Sequence, residues 1–291
     1  MKILVFDPWH CLSIALACEA QERFDIDLEM ADDTALAAHP GMDVTGYDAL
    51  VVPPLAHLDT LTADQIEAHA EQVEALITPC REANTVLVWC VSDEIYEYGH
   101  AKGAIEESLV PVPESPSRKR LVDVGNRIRS ELSCYLVVRV GPLFGLTGKD
   151  AWLPTILDGL YTGHNIAAED DLYVGPTPVD ALANGLCGML LQLDNGANAY
   201  GPYHLSGIDP VSVYIFVASV RTCLAHELER RGIDDIQLGE VTPSSHRLGM
   251  VRRVMNCRHM LGTFGVHQKP WRLEIERLIN KWLELRMEQA E

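Results

Sequence analysis

The chain opens MKILVFDPWHCLSIALACEA (1–20), and the stretch VFDPWHCLS (5–13) decides how the rest is read. The apolar run ILVF leads straight into residues 11–22, which read as a helix with Leu12, Leu16 and Cys18 near one face. A strand followed at once by a helix is how a dinucleotide-binding domain begins, and the turn between them normally carries glycines. Here no glycine occurs between Met1 and Gly41.

Further along, FDIDLEMA (24–31) alternates like a strand, and YDALVVPP (47–54) reads as a buried strand ending at two prolines. Residues 61–78 place Leu61, Ile66, Val73 and Ile77 at helical spacing. NTVLVWCVS (84–92) is a strongly apolar strand, 117–131 reads as a helix, and CYLVVRVG (134–141) is another strand. PVPESPS (111–117) is the most loop-like segment, and nothing repeats. Strands alternating with helices imply an α/β fold with a Rossmann-like, doubly wound parallel sheet.

The 291 residues, 47% hydrophobic, suffice for one large domain or for one domain with a smaller lobe. No apolar run reaches membrane-spanning length, and the N-terminus lacks a secretory layout. Eight scattered cysteines without a CxxC pair suggest buried, reduced thiols and a cytoplasmic location. The eleven histidines show no ligand spacing, so no metal site is expected. A net charge of −19 disfavours nucleic acid and anionic membranes as partners.

KILVF, VVPPLAHLD (51–59), VWCVSDEIYEYG (88–99) and YLVVRVGPLFG (135–145) follow the order of the extended short-chain dehydrogenase/reductases, which they resemble. GPLFGLTGKDAWLPTIL (141–157), DLYVGPTPVDALANGLCGML (171–190), GPYHLSGIDPVS (201–212) and RRVMNCRHMLGTFGVHQKPWRLEIERLI (252–279) look like the dTDP-4-dehydrorhamnose reductase branch. The resemblance spans nearly the whole chain. It implies a Rossmann-like domain over 1–141 and a smaller, substrate-type lobe mainly over 142–291, with about 176–204 returning to the first domain.

The family's GxxGxxG loop maps onto Asp7, His10 and Ser13, so each glycine position carries a side chain. Asp7 would repel a bound diphosphate by about 1–4 kcal/mol, and Pro8 removes a backbone donor. Asp7 could instead cap a helix starting near Trp9. The resemblance also implies a Ser–Tyr–Lys catalytic set. Ser92 stands in place, followed by Asp93 and Glu94, a pattern shared with the 4,6-dehydratases of the wider family. The Tyr–Lys helix should lie within 115–131, where Lys119 fits but Ser115 occupies the tyrosine position. The chain's YxxxK is Tyr98–Lys102, six residues beyond Ser92 and ahead of the expected helix. Arg247 matches an Arg that the family often places near the nucleotide phosphates.

Two readings follow. In the first, the chain is a non-catalytic pseudoenzyme serving as a binding, regulatory or structural subunit, with no cofactor taken in the usual way. It keeps a small-molecule cleft at Ser92, Asp93, Glu94, Lys119 and Arg247, and forms a homo-oligomer or joins a protein partner through Trp9 or the helix around Trp282. In the second, it is a reductase of a nucleotide sugar or related carbonyl compound, using NADP or NAD with Ser92, Tyr98 and Lys102 as catalytic residues. Loss of both the glycines and the placed tyrosine favours the first.

Overall fold

The computed structural model describes residues 1–31, 42–55, 57–100 and 103–288. The first half supplies β1 (Lys2–Val5), α1 (Cys11–Gln21), β2 (Asp27–Met30), β3 (Ala49–Val52), α2 (Ala63–Ala75), α3 (Ile77–Ala83), β4 (Val86–Ser92), α4 (Pro116–Glu131) and β5 (Tyr135–Val140). The second supplies β6 (Leu143–Phe144), α5 (Trp152–Tyr161), β7 (Ile166–Glu169), β8 (Leu172–Val174), β9 (Thr177–Pro178), α6 (Val179–Asp194), β10 (Gly201–Leu205) and β11 (Val211–Ser212). It ends with α7 (Val213–Arg230), β12 (Val241–Ser244), β13 (Val251–Arg253), α8 (Arg258–Phe264) and α9 (Trp271–Glu288).

Six parallel strands form one sheet in the order β10-β5-β4-β3-β1-β2, a doubly wound α/β arrangement. Alternation along each strand feeds two cores. Ile3, Val5, Val88, Cys90 and Val138 pack under α1 and α6, while Leu4, Phe6, Leu87, Trp89 and Val137 pack under α2 and α4. Arg139, next in phase after Val137, turns to polar partners instead. Local signals set the helix starts: Thr62 and Gln65 form a capping box on α2, and Ser115 caps α4 with Pro116 at its first position.

A third core, that of a smaller lobe, lies among α5, α7 and α9, where Trp152 stacks on Phe216 at 4.7 Å and Trp271 is fully buried. The apolar breadth of α9 is mostly core. Trp282 is buried edge-on against Tyr161, so the exposed apolar residues of that helix are Leu273, Leu285 and Met287 rather than Trp282. Trp9, by contrast, is 63% exposed, so it does not fill a groove of its own chain.

Candidate functional site

The turn from β1 to α1 differs in detail from the sequence expectation. Asp7 sits in the left-handed region at φ 52°, a conformation that a glycine would adopt without strain. It is not the helix cap. His10 is: its Nδ1 accepts from the Leu12 N–H at 3.0 Å, and the residue is 2% exposed. Ser13 is buried because its Oγ donates to the Phe6 carbonyl at 2.9 Å, tying helix to strand. Asp7 turns instead to Lys149, with Oδ2 2.8 Å from Nζ.

That contact belongs to a strap over residues 145–151, between β6 and α5. The Lys149 N–H donates to the Trp9 carbonyl at 2.9 Å, and an Asp150 carboxylate oxygen lies 3.7 Å from His10 Nε2. Gly148, at φ +98°, lies so close that a Cβ there would come within 2.5 Å of the Cys11 backbone N and Cα. The strap thus covers the first turn of α1. Burial lowers the His10 pKa although Asp150 and Asp7 oppose it.

Beside this turn, at the C-terminal ends of β3, β4 and β5, lies a cleft of about 310 Å³. The sheet side contributes Pro54, His57, Asp59, Ser92, Glu94 and Gly141, and the smaller lobe contributes Trp152, Glu169, Val174, His246 and Arg253. Ser92 caps a 3₁₀ turn, Asp93–Tyr96, accepting from the Glu94 N–H at 3.2 Å and donating to Glu94 Oε1 at 3.3 Å. The Glu94 carboxylate also accepts the His57 and Leu58 N–H groups, both at 2.9 Å, and so holds the loop after β3. Arg118 donates to the Glu94 carbonyl and to Asp59 Oδ1, each at 2.8 Å. The cleft lies where an open α/β sheet receives its ligand.

The model of the RmlD substrate-binding domain family matches residues 56–284. The chain belongs to this family. Solved structures with the same fold include a dTDP-4-dehydrorhamnose reductase from Clostridium acetobutylicum, at 18% identity and a TM-score of 0.77, covering 97% of this chain and 100% of that one. The enzyme of the same name from Bacillus anthracis, solved with NADP, has 17% identity and a TM-score of 0.72, with 96% and 99% covered. A UDP-N-acetylglucosamine 4-epimerase from Methanobrevibacter ruminantium, bound to UDP-N-acetylmuramic acid, has 10% identity and a TM-score of 0.77, with 98% of each chain covered. No curated protein matches the sequence.

In this RmlD-family chain the residues singled out from sequence divide four ways. Ser92 and Glu94 line the cleft, and Arg247 reaches its rim, with a guanidinium nitrogen 2.6 Å from Asp59 Oδ1. Asp93 is fully buried behind the wall, and its nearest charged partner is Arg253 at 3.8 Å. Lys119 is exposed and does not line the cleft. With Ser115 capping α4, the helical phase turns Arg118 inward and Lys119 out. Tyr98 is half-exposed, and its hydroxyl donates to Glu114 at 2.9 Å, which raises its pKa. Lys102 lies outside the described residues. Sequence reasoning missed Asp59, Arg118, His246 and Arg253, which no motif marks. Among the described residues no cluster of three or more His, Cys, Asp or Glu could hold a metal ion. No described helix is long and apolar enough to cross a membrane.

Burial pushes the Asp93 carboxyl up to about 7, against the pull of Arg253. An unfolded carboxyl titrates near 4, so between about pH 4 and pH 7 the folded state holds more protons than the unfolded one. Stability is therefore expected to fall as pH rises through that window. Asp93→Asn should flatten this part of the profile, measured by denaturant unfolding at several pH values. An unchanged slope would assign the dependence to other groups.

Proposed function

We propose that the chain binds a nucleotide sugar, or a related anionic carbonyl compound, in the cleft between the sheet and the smaller lobe, without taking NAD(P) at α1 in the usual way. The observation that carries the cofactor half is the covered first turn of α1. A dinucleotide's diphosphate sits on the free N–H groups of that turn. Here the Gly148 backbone packs on Cys11, and the carboxylates of Asp7 and Asp150 stand beside it. Asp7 Oδ1 is itself buried without a hydrogen-bond partner, so beside the Lys149 pair the turn already holds an unsatisfied acceptor where a phosphate would add negative charge. These residues do not fit a diphosphate. A role as a binding, regulatory or structural subunit accords with this, and Trp9 beside the strap offers an exposed aromatic for a second chain.

The second reading is an NAD(P)-dependent reductase of a nucleotide-sugar carbonyl. Membership of the family supports it, as do neighbours of the same fold that include an NADP complex. It requires the 145–151 strap to move and a proton donor to reach the cleft. One titration experiment separates the two readings. The first expects dTDP- or UDP-sugars to bind while NADH and NADPH give no heat at low-micromolar protein. Low-micromolar NADPH binding, with oxidation of the cofactor on adding dTDP-4-dehydrorhamnose, would overturn the first and establish the second. Failure of every nucleotide sugar to bind would remove the shared half.

A further inference from the structure

Strand β13 carries an arginine on its inward face. Val251 packs into the core of the smaller lobe, Arg252 lies on the other face over the Tyr173 ring at 4.7 Å, and Arg253 returns to the inner side. β13 pairs with β8, Arg253 opposite Val174, and both residues line the cleft. Gly99 lies directly against the strand: a Cβ there would come within 2.1 Å of the Arg252 carbonyl oxygen, which accepts the His100 N–H at 2.9 Å. Arg253 is 7% exposed, and its Nε has no hydrogen-bond partner.

A buried guanidinium presents five donors and requires acceptors. The nearest carboxylate oxygen belongs to Asp93 at 3.8 Å, beyond hydrogen-bond distance, and both Asp93 oxygens are likewise unpartnered. Three other acids of the cleft are engaged elsewhere. Glu94 is held by backbone N–H groups, Asp59 by Arg118 and Arg247, and Asp150 lies beside His10.

We propose that Arg253 is an oxyanion-receiving subsite on the floor of the cleft, built to take a carboxylate or phosphate of the bound ligand. Asp93 directly follows Ser92 at the end of β4, so this subsite lies at the Ser92 end of the cleft. Resting on the nucleotide-sugar reading above, the inference adds that the glycosyl part of the ligand itself carries an acidic group. Bidentate Arg–carboxylate geometry supplies both the charge and the orientation.

Calorimetry on the full chain compares UDP-glucuronate with UDP-glucose, which differ in the carboxylate, alongside free glucuronate and inorganic phosphate. UDP-glucuronate is expected to bind at least about tenfold more tightly than UDP-glucose. Arg253→Met should abolish that preference, and Arg253→Lys should retain part of it, with circular dichroism confirming that both variants fold. Equal binding of the two nucleotide sugars, unchanged in Arg253→Met, would overturn the subsite and leave the nucleotide-sugar reading standing. Arg253-dependent binding of free glucuronate or phosphate, with neither nucleotide sugar bound, would support the subsite and remove that reading. The two small anions also distinguish a carboxylate from a phosphate ligand. If no anion binds through Arg253, the proposal is wrong.

Discussion

Replacing Arg118 by Met is expected to lower the unfolding free energy by about 3–5 kcal/mol, whereas Lys119→Met, one residue further along α4, should change it by less than about 0.5 kcal/mol. Arg118 is buried and serves as the hub of the cleft's outer wall. Its Nε donates to the Glu94 carbonyl at 2.8 Å, and its guanidinium holds Asp59 at 2.8 Å. It also lies within 3.9 Å of the Glu94 carboxylate and 3.8 Å of Glu97. Glu97 in turn accepts the Glu114 and Ser115 N–H groups at the start of α4. Methionine fills similar space but leaves three carboxylates facing one another with less positive charge between them. Arg247 still compensates Asp59, which keeps the loss from being larger. Urea unfolding of the two variants checks the contrast. A loss below about 1 kcal/mol for Arg118→Met would mean that solvent already screens these acids. Because Asp59 and Glu94 both line the cleft, ligand affinity should fall in the Arg118 variant and not in the Lys119 one.

The other large effect is expected at Glu107. Its buried carboxylate accepts the His204 N–H at 3.1 Å, the His259 N–H at 2.7 Å and the Met260 N–H at 3.1 Å. One side chain therefore joins the edge strand β10 to the first turn of α8, where the helix dipole also favours a negative charge. The same region holds Arg139, which donates to the Tyr96 hydroxyl at 2.8 Å and to the Glu107 carbonyl at 3.0 Å. His204 sits against Tyr96 at 2.8 Å, and burial lowers its pKa to about 3, so it stays neutral. Glu107→Ala strands three backbone donors and should cost about 3–5 kcal/mol, lowering Tm by roughly 6–10 °C. Glu107→Gln keeps one acceptor and should cost about 1–3 kcal/mol. Glu106→Ala removes an exposed contact to Asn256 and should cost under about 1 kcal/mol. Equal melting temperatures for the Glu106 and Glu107 variants would remove the assigned role.

What could be read from the sequence was what depends on neighbours along the chain. The runs ILVF, ALVV, VLVWCVS and, apart from Arg139, YLVVRV are apolar on both faces, which only a sheet covered by helices on each side can bury, and all four became parallel strands of one sheet. The starts of α2 and α4 follow from Thr62 and Ser115, local caps that need no tertiary partner. The absence of glycine around Asp7, His10 and Ser13 was equally plain, because it is a matter of residue identity alone. What the side chains do there was decided by the tertiary structure. His10 became the helix cap because Asp7 is drawn to Lys149, on a strap contributed by a distant segment. Arg118 rather than Lys119 entered the cleft wall because Asp59, Glu94 and Glu97 converge on one phase of α4 from other elements. Arg253 and Asp93 meet across two lobes, and nothing in RRV or SDE announces the pairing. Periodicity records which face of an element is buried, but a charge finds its partner through the low dielectric between elements, and that distance exists only once the chain has folded.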